Sequence, residues 1–446
     1  MRVLSRFGIG LWLIAAGAST ARAQGSLSLT IDDAIERAMA HAPRLAEARS
    51  REDAAQATIR ARAAAGAPTV TAISSYLRTN HVDEFGVPQA NGTIRVIFPD
   101  IPDNYRARGE LLVPIFTGGR VASAVASAKA DADAATSNRR TTEADVRLET
   151  ARAYWTLAAS RAKVTVLEQS LQRTDAWVGD VRARMDAGFL GPNDLLSAQA
   201  QRARQNVQLI QARSAAAFAE LDLAHLVGGA AGQPIVVATA VEQAPPGAAD
   251  LASQPVETLI ARAKAGRTER ASLVSQQTSL RAIGDLAAAG SRPQVAGIAA
   301  VEPARPNSRF VPRTDAWQTS WDLGVNVNWP LWDGGRARAD RAAAVAQSDA
   351  VSHRLDEFDT QVALEIRQRV LDLESNRAAL QAAGEYVAAA TEARRVAGER
   401  FTAGVATSTD VLDAQVALLE AELERIQIAA SLRLGEARLL RSVGAE

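Results

Sequence analysis

The segment Val113-Pro-Ile-Phe-Thr-Gly-Gly-Arg120 returns in the same chain as Trp329-Pro-Leu-Trp-Asp-Gly-Gly-Arg336, so that position 113 corresponds to position 329. The same offset then holds without a gap, because Asp194-Leu-Leu-Ser-Ala-Gln199 matches Asp410-Val-Leu-Asp-Ala-Gln415. A general excess of alanine, arginine and glutamate does not place such motifs in one register. The sequence therefore predicts two structurally equivalent halves.

Each half is predicted to contain a helix, two strands, a long helix and a shorter helix. Upstream of the quoted segments Pro68 corresponds to Pro293, so the first repeat carries extra residues between Pro68 and Val113. The first repeat is assigned to 24–228 and the second to 256–444, and the structure of the linker 229–255 is not predicted. The predicted elements are helix 31–65, strands within 69–116 and helices 119–186 and 193–227, followed by helix 256–289, strands within 294–332 and helices 335–402 and 408–443.

The N-terminus has the pattern of a secretory signal peptide. Arg2 and Arg6 precede an apolar run over 7–18, and Ala21-Arg22-Ala23 is the small-x-small pattern that signal peptidase recognises. The run is too short to span a bilayer as a helix. We expect residues 1–23 to be removed on export, in preference to the alternative of a buried N-terminal helix.

Composition excludes several classes of protein. The 446 residues include no cysteine, which excludes disulfides, thiolate metal sites and a cysteine nucleophile. The 50 basic residues are balanced by 50 acidic residues and form no basic face, so nucleic acid is not an expected partner. The four histidines are scattered and no phosphate-binding glycine loop is present. We therefore predict no enzyme activity, no metal and no cofactor.

The long helices have a coiled-coil period. A helix over 119–186 is about 100 Å long at ~1.5 Å per residue. Apolar residues recur every seven positions along it, as at Leu157, Val164 and Leu171. A plain dimeric coiled coil would account for this pattern if the strands were absent.

The strand predicted from Asp322 to Trp332 alternates between apolar and polar residues. Leu323, Val325 and Val327 face one side, whereas Asp322 and Asn326 face the other. A soluble sheet with one wet face has the same alternation. Export, helices of this length and a cluster of tryptophans typical of a membrane interface favour a transmembrane barrel instead. The girdle tryptophans are Trp317, Trp321, Trp329 and Trp332.

Four strands cannot close a barrel, and lipid tolerates no open sheet edge. Closure therefore needs several copies of the chain. Two copies give eight strands and an interior filled by side chains, whereas three give twelve strands and a lumen. The repeated Gly-Gly-Arg is interpreted as the bend from strand to helix, in preference to an anion site at a helix N-terminus. The bend residues are Pro114, Gly118, Gly119, Pro330, Gly334 and Gly335.

Over about residues 28–444 the chain resembles the TolC-type outer-membrane efflux proteins. The resemblance rests on the duplicated layout, the Pro-x-x-x-Gly-Gly-Arg motifs and the paired turns 187–196 and 403–412. It implies a mainly α fold with a β membrane segment: a homotrimer whose 12-stranded β-barrel is continuous with a long α-helical barrel in the periplasm. It also implies a passive exit duct that docks onto a periplasmic adaptor (membrane fusion protein) and an inner-membrane pump of the RND, ABC or MFS type.

The resemblance places both helix–helix turns at the periplasmic tip and implies roles for their residues. The implied adaptor contacts are Gly188, Phe189, Leu190, Gly404, Val405 and Ala406, although the glycines also serve as helix caps. The implied entrance or gate residues are Asp194, Phe401, Asp410 and Asp413, although the acids also suit a solvated helix surface. Relatives with a described latch have Tyr and Arg where this chain has Phe401 and Ala406, so the sequence does not predict how the entrance is held shut.

The predicted function is the outer-membrane channel of a tripartite export system for small molecules such as drugs, toxic compounds or metals. Two alternatives remain open at this point. One is an exit duct for type I protein secretion, which uses the same structure with a different pump. The other is a non-conducting coiled-coil tether of the envelope. The cargo, the adaptor and the pump are not predicted.

Overall fold

A computed structural model describes residues 27–229, 233–243 and 254–444. The predicted signal peptide 1–23 and residues 230–232 and 244–253 of the linker lie outside these residues. The described part of the chain contains eight helices and eight strands. The helices are α1 Ile31–His41, α2 Pro43–Ala64, α3 Arg120–Asp186, α4 Pro192–Leu226, α5 Val256–Gly266, α6 Thr268–Ala289, α7 Arg336–Thr402 and α8 Ser408–Val443. The strands are β1 Leu27–Leu29, β2 Thr69–Arg78, β3 Phe85–Pro88, β4 Ile94–Phe98, β5 Asp103–Phe116, β6 Ile235–Val237, β7 Gln294–Arg305 and β8 Gln318–Asn328.

The chain divides into two compact units, which we call the helical unit and the sheet unit. The helical unit contains the described residues of 27–41, 150–243 and 384–430, and the sheet unit contains those of 42–149, 254–383 and 431–444. Within the described residues, no helix is both long and apolar enough to cross a bilayer.

The helix predicted over 31–65 is two helices. Ala42 is extended (ψ 114°) because it precedes Pro43, whose ring disfavours a helical conformation in the residue before it. The helix predicted over 256–289 is also interrupted, at Arg267 (ψ 118°), where no proline is present. There the guanidinium of Arg267 donates to Glu365 at 3.0 Å and to the carbonyl of Ser442 at 3.3 Å. Tertiary contacts therefore accompany the interruption of this helix.

The sheet unit contains a four-stranded antiparallel sheet in the order β2-β5-β7-β8. Ser74 pairs with Ala107 in the first hairpin, and the equivalent positions Ala299 and Leu323 pair in the second. The two hairpins thus have the same register. The extra residues of the first repeat lie in the connection 79–102, which carries the small hairpin β3–β4. That hairpin was not predicted from the sequence.

One face of the sheet is mainly apolar and exposed, and the other is mainly polar but also carries the exposed Ile73 and Leu77 of β2. The exposed apolar residues include Val70, Leu111, Val301, Trp321, Leu323, Val325 and Val327. Within the described residues neither β2 nor β8 pairs on its outer side. Free edges can pair with further strands, and an exposed apolar face is typical of a surface that contacts other molecules or lipid.

The helices of each unit pack around their own apolar clusters. In the sheet unit, Ile366 and Leu373 of α7 pack with Leu259 of α5 and Leu439 of α8, and all four are fully buried. In the helical unit, the parallel pair β1–β6 is fastened to α3 by Tyr154. The hydroxyl of Tyr154 donates to the carbonyl of Leu29 and accepts from the amide of Thr239, both at 3.1 Å.

Candidate functional site

The two helix–helix turns lie in the helical unit and have the same backbone geometry. Gly188 ends α3 with φ +81°, and Gly404 ends α7 with φ +76°. The amide of Phe189 donates to the carbonyl of Arg184, and that of Gly188 donates to Met185, both at 2.9 Å. The equivalent bonds after α7 use the same positions of the second repeat. Both turns are therefore Schellman caps, in which glycine supplies the left-handed residue.

The predicted adaptor contacts divide into exposed and half-buried residues. Phe189 and Val405, which directly follow the two glycines, are 80% and 64% exposed. Leu190 and Ala406 instead pack against a buried cluster between the helices. Each turn therefore presents one apolar side chain to its surroundings and anchors itself with the next.

The predicted gate acids lie at the starts of the helices that follow the turns. Asp410 accepts from the amide and the hydroxyl of Thr407 at 2.7 and 2.8 Å, and the Thr407 hydroxyl accepts from the Asp410 amide at 3.2 Å. This reciprocal arrangement is a capping box. The hydrogen bonds from Thr407 hold the pKa of the Asp410 carboxyl below its ordinary value. Asp413, one turn further along α8, is exposed.

In the first repeat the equivalent cap is weaker. Gly191 stands where the second repeat has Thr407, so the cap has no hydroxyl. Asp194 accepts only from the amide of Gly191, at 3.3 Å. The two acids thus share a position in the repeat but differ in how firmly they are held.

Phe401, predicted near the entrance, lies in the core of the helical unit and is only 5% exposed. Its ring meets that of Trp177 edge-on, with 4.7 Å between centroids. The guanidinium of Arg184 lies over the same ring at 4.7 Å. Trp177 and Arg184 were not singled out from the sequence, because only the fold brings α3 and α7 together at this level. Phe401 therefore joins two helices within one chain, by packing and a cation–π contact.

The predicted bend residues lie in the sheet unit, between strand and long helix. Gly118 and Gly119 have φ +64° and +90°, and Gly334 and Gly335 have φ +71° and +86°. Pro114 lies in β5 at a break in its register with β7, and Pro330 lies just beyond the end of β8. Both Gly-Gly pairs therefore turn the chain through conformations that side chains disfavour.

The surroundings of the two bends differ. The carbonyl of Gly118 accepts from Arg292 at 3.2 Å, and a Cβ on Gly118 would lie 2.9 Å from the Cβ of Arg292. At Gly334 a Cβ would meet no described atom within 4 Å. There Asp333 caps α7 instead, accepting from the amides of Gly335 and Ala337 at 2.8 Å.

The predicted girdle tryptophans are exposed and lie at both ends of β8. Trp317 immediately precedes the strand and Trp321 is its fourth residue, while Trp329 and Trp332 follow its last residue. The 11 residues of β8 span about 37 Å at ~3.4 Å per residue. Tilted by about 45°, such a strand rises about 25 Å, the height of the apolar band of a membrane barrel.

The polar face of the sheet carries a group of charges that was not singled out from the sequence. Its centre is Arg108, which contacts Glu110, Glu302 and Asp322. These residues come from three different strands, and only the alternation along the strands signals that they share a face. Among the described residues no three carboxylates or histidines are grouped as metal ligands would be.

Comparison with known proteins gives consistent matches. A model of the family "Outer membrane efflux protein" matches residues 34–229 and 259–445. Outer membrane efflux protein BepC of Brucella suis is 26% identical over 369 residues, covering 80% of this chain and 77% of BepC. Protein CyaE of Bordetella pertussis is 27% identical over 426 residues, covering 93% of this chain and 84% of CyaE.

Solved structures show the same fold at lower identity. The outer-membrane channel OprN has a TM-score of 0.75 at 19% identity, with 93% of this chain and 90% of OprN covered. The outer membrane protein VceC of Vibrio cholerae has a TM-score of 0.75 at 20% identity, with 93% and 96% covered. The CmeC outer membrane channel of Campylobacter jejuni has a TM-score of 0.77 at 14% identity, with 93% and 85% covered.

Proposed function

Because the chain belongs to the outer membrane efflux protein family, whose members are channels and not enzymes, we propose that it is the outer-membrane exit duct of a tripartite export system. In this proposal three copies close one barrel in the outer membrane and extend into the periplasm. The duct is passive and carries small molecules delivered by an inner-membrane pump through a periplasmic adaptor. Its periplasmic end opens and closes at the two helix–helix turns.

The observation that carries the proposal is the unfinished sheet. Within the described residues β2 and β8 pair on one side only, and one face of the sheet exposes mainly apolar side chains. In lipid each unpaired backbone group costs several kcal/mol. Further copies of the same chain satisfy both edges at once, because the free edge of β8 in one copy then pairs with that of β2 in the next.

The internal repeat predicts the register of that pairing. In the chain, β5 of the first repeat pairs with β7 of the second, for example Leu111 with Ala299. By the offset that relates Val113 to Trp329, Leu111 corresponds to Val327 of β8; by the offset that relates Pro68 to Pro293, Ala299 corresponds to Ser74 of β2. If the repeats surround the barrel regularly, Val327 therefore lies opposite Ser74 of the next copy. Both residues belong to the outward face of the sheet.

The same two offsets, applied to the contacts of Gly118, predict what covers the open bend at Gly334. Gly118 is covered by Arg292 and Pro293, which lead into β7. Their equivalents in the first repeat are Ala67 and Pro68, which lead into β2. Gly334, open in the single chain, is then covered by Ala67 and Pro68 of the next copy.

The helices also expose apolar faces for neighbours. On α4 an apolar stripe with helical spacing is more than half exposed, comprising Leu196, Val207, Ile210, Phe218 and Leu221. On α7, Leu364 and Leu371 lie two turns apart and are 68% and 65% exposed. Contiguous exposed apolar surface of this kind marks an interaction site. We assign these faces to contacts between copies in the helical part of the assembly.

We assign the entrance to the acids after the turns. Three copies place three Asp410 and three Asp413 carboxylates at one level, which attracts cations and disfavours anions. The same proposal assigns Asp194 to the entrance, and assigns the adaptor contacts to the turns around Gly188 and Gly404. Phe401, buried between helices, holds the turn rather than lining the opening.

Disulfide cross-linking tests the closed barrel, because the chain has no cysteine of its own. Opposite residues of an antiparallel pair have Cβ atoms about 4.5–5.5 Å apart, close to disulfide distance. Ser74→Cys with Val327→Cys should therefore join neighbouring copies. A link within one chain is excluded because β5 and β7 lie between β2 and β8. Neighbouring strands are about 4.8 Å apart, so β2 and β8 of one chain are about 14 Å apart.

The expected product on oxidation is a ring of three linked chains that forms conducting channels in a planar bilayer. Ser74→Cys with Leu323→Cys is the matched control, since it is off register by four positions, about 13 Å along the strand, and should not link. A ring of two linked chains would contradict the trimer. A soluble, elongated dimer without conductance would contradict the duct and support the tether.

Ion selectivity tests the entrance. Asp410→Asn combined with Asp413→Asn should lower the preference for cations over anions and weaken block by divalent cations in planar bilayers. Asn at position 410 retains an oxygen that accepts from Thr407, so the helix cap persists while the charge is lost. Unchanged selectivity in the double variant would remove the role assigned to these acids while leaving the barrel intact.

A further inference from the structure

The polar face of the sheet holds a compact group of opposite charges, which we call the Arg108 cluster: Arg106, Arg108, Glu110, Glu302, Arg309 and Asp322. Arg108 binds Asp322 with two parallel hydrogen bonds, Nη1 to Oδ2 at 3.0 Å and Nη2 to Oδ1 at 3.2 Å. Its Nε donates to Glu110 at 3.1 Å, and its Nη1 also reaches Glu302 at 3.2 Å. One guanidinium therefore joins strands β5, β7 and β8.

Two further arginines complete the cluster. Arg106 donates to Glu302 at 2.6 Å. Arg309, in the loop between β7 and β8, donates to the carbonyl of Trp321 at 3.0 Å and lies 3.7 Å from Asp322. The loop is held by Asn307, which is buried and donates to the carbonyl of Gln318 at 3.0 Å. Loop and strands thus place three cations and three carboxylates together with no net charge.

The position of the cluster determines what it can act on. Arg108, Glu302 and Asp322 lie on the face opposite to the exposed apolar residues Leu111, Val301 and Trp321. In a barrel closed in lipid the apolar face points outward, so the cluster lines the lumen. It has no counterpart at the other seam of the repeat, because the position equivalent to Arg108 in the second repeat is Gly324.

We propose that the Arg108 cluster is a charge-compensated ring in the barrel lumen and that Arg108 determines the ion preference of this section of the channel. The proposal rests on the closed trimeric barrel of the proposed function. Three clusters face the lumen at one level, each neutral because Arg108 balances the excess of carboxylates around it. Without Arg108 each cluster has two cations against three carboxylates, and the ring has a net charge of −3.

The two ends of the proposed duct then act differently on charged molecules. The entrance acids attract cations, whereas a neutral ring lets anionic, cationic and zwitterionic molecules leave without an electrostatic barrier. Fixed charges in a narrow passage act strongly on a permeating ion because protein and lipid screen them less than bulk water does. Because the substitution removes the Arg108 guanidinium from all three copies, it changes the charge of the ring by three units.

Reversal potentials in planar bilayers under a salt gradient test the proposal. Arg108→Gln should raise the ratio of cation to anion permeability about twofold or more, as expected for a ring of net negative charge. Asp322→Asn leaves a net positive ring and should shift the ratio in the opposite direction. Each variant is measured in the wild-type chain and in the Asp410→Asn, Asp413→Asn background, so that the entrance does not dominate the selectivity.

Arg78→Gln is the matched control. Arg78 forms a comparable ion pair with Asp103, at 2.9 Å, but on the outward face of the sheet. The Arg78→Gln variant loses the same charge as Arg108→Gln and should leave the reversal potential unchanged. If Arg108→Gln does not assemble, the shift in Asp322→Asn decides. Channels of both variants with wild-type reversal potentials overturn the proposal, whereas absence of channels from the wild-type chain overturns the proposed function instead.

Discussion

The two repeats of this chain share a register but not their surroundings. At the bend, Gly118 is packed under Arg292, whereas the equivalent Gly334 is open. At the turn, Phe401 is buried in a cluster, whereas the equivalent Met185 is half-buried. In the proposed assembly the open bend at Gly334 is a surface that contacts the next copy. The uneven turns indicate that the second repeat holds the end of the helical unit more firmly than the first.

The largest effect is expected where the repeats differ most in packing. Phe401→Ala removes a buried ring that contacts Trp177 and Arg184, and should cost about 3–5 kcal/mol of stability. Met185→Ala, at the equivalent half-buried position, should cost about 1 kcal/mol. The measurement is the thermal midpoint of the helical circular dichroism signal in detergent, with Phe401→Leu as the control that keeps a large apolar side chain but removes the ring. Equal midpoints for the two alanine variants would mean that the asymmetry of the turns has no energetic meaning.

Alanine substitutions at the two bends should lower stability by a smaller amount, and comparing them tests whether the bend at Gly334 is covered in the assembly. Alanine in a left-handed conformation costs about 1–2 kcal/mol, and this applies to Gly118→Ala and Gly334→Ala alike. Gly118→Ala also brings its Cβ against Arg292 and, at 3.1 Å, against the carbonyl of Pro293. If Ala67 and Pro68 of the next copy cover Gly334, both variants should lower the temperature at which the assembled protein dissociates by the same amount. A clearly milder Gly334→Ala would show that the bend remains open in the assembly.

Substitutions at the helix caps should also change the stability of the two repeats unequally, by a smaller amount. Thr407→Ala removes a hydroxyl that caps α8 and should cost about 1 kcal/mol. Gly191→Ala, at the equivalent position of α4, removes no hydroxyl. Gly191 is extended (φ −85°, ψ 159°), a conformation that alanine adopts without strain, so the reduced entropy of the unfolded chain offsets most of the lost cap preference, and the net cost should be about a few tenths of a kcal/mol. Hydrogen exchange of the first turn of each helix measures the difference directly. Equal protection of the two helix starts in the wild-type protein would contradict it.

The smallest effect is a pH dependence of the second turn. Because the folded structure lowers the pKa of Asp410 below 3.8, its contribution to stability is fully present above that value. The contribution is lost as the pH falls below the ordinary pKa and through the folded one. Thr407→Ala removes the hydroxyl that holds the carboxylate, so the acid dependence of exchange at the start of α8 should become flatter. The backbone amide at position 407, which lowers the pKa of Asp410 more than the hydroxyl does, is retained, so a variant with the wild-type acid profile would show that the hydroxyl makes no contribution to this titration.

The repeat register made much of the architecture predictable. Gly-Gly-Arg after each second strand and Ala-Gly after each long helix are local signals, and each depends on a backbone conformation that few residues tolerate. The alternation over 322–331 likewise identifies the apolar face without any tertiary information. These features are encoded by residues close in sequence, which is why they can be derived from one chain.

The features that escaped prediction depend on distant partners. Arg267 interrupts a helix where it contacts Glu365 and Ser442, and the only signal next to it in sequence is Gly266, which is weak because isolated glycines also occur within helices. Phe401 was assigned to the entrance because it stands where relatives with a described latch have Tyr, and its contacts with Trp177 and Arg184 could not be predicted from the sequence. The Arg108 cluster draws its carboxylates from three strands. Each of these cases requires knowing which helices or strands become neighbours.

The two unpaired edge strands have a consequence for biogenesis. In the proposed assembly, each newly made chain exposes the backbone donors and acceptors of β2 and β8, which are unpaired on one side within the described residues, and any extended polypeptide can add to them until further copies do. Productive oligomerisation therefore competes kinetically with aggregation. Overproduction, slow encounter or loss of a holdase chaperone should shift that competition toward inclusion bodies even when every folded chain is sound.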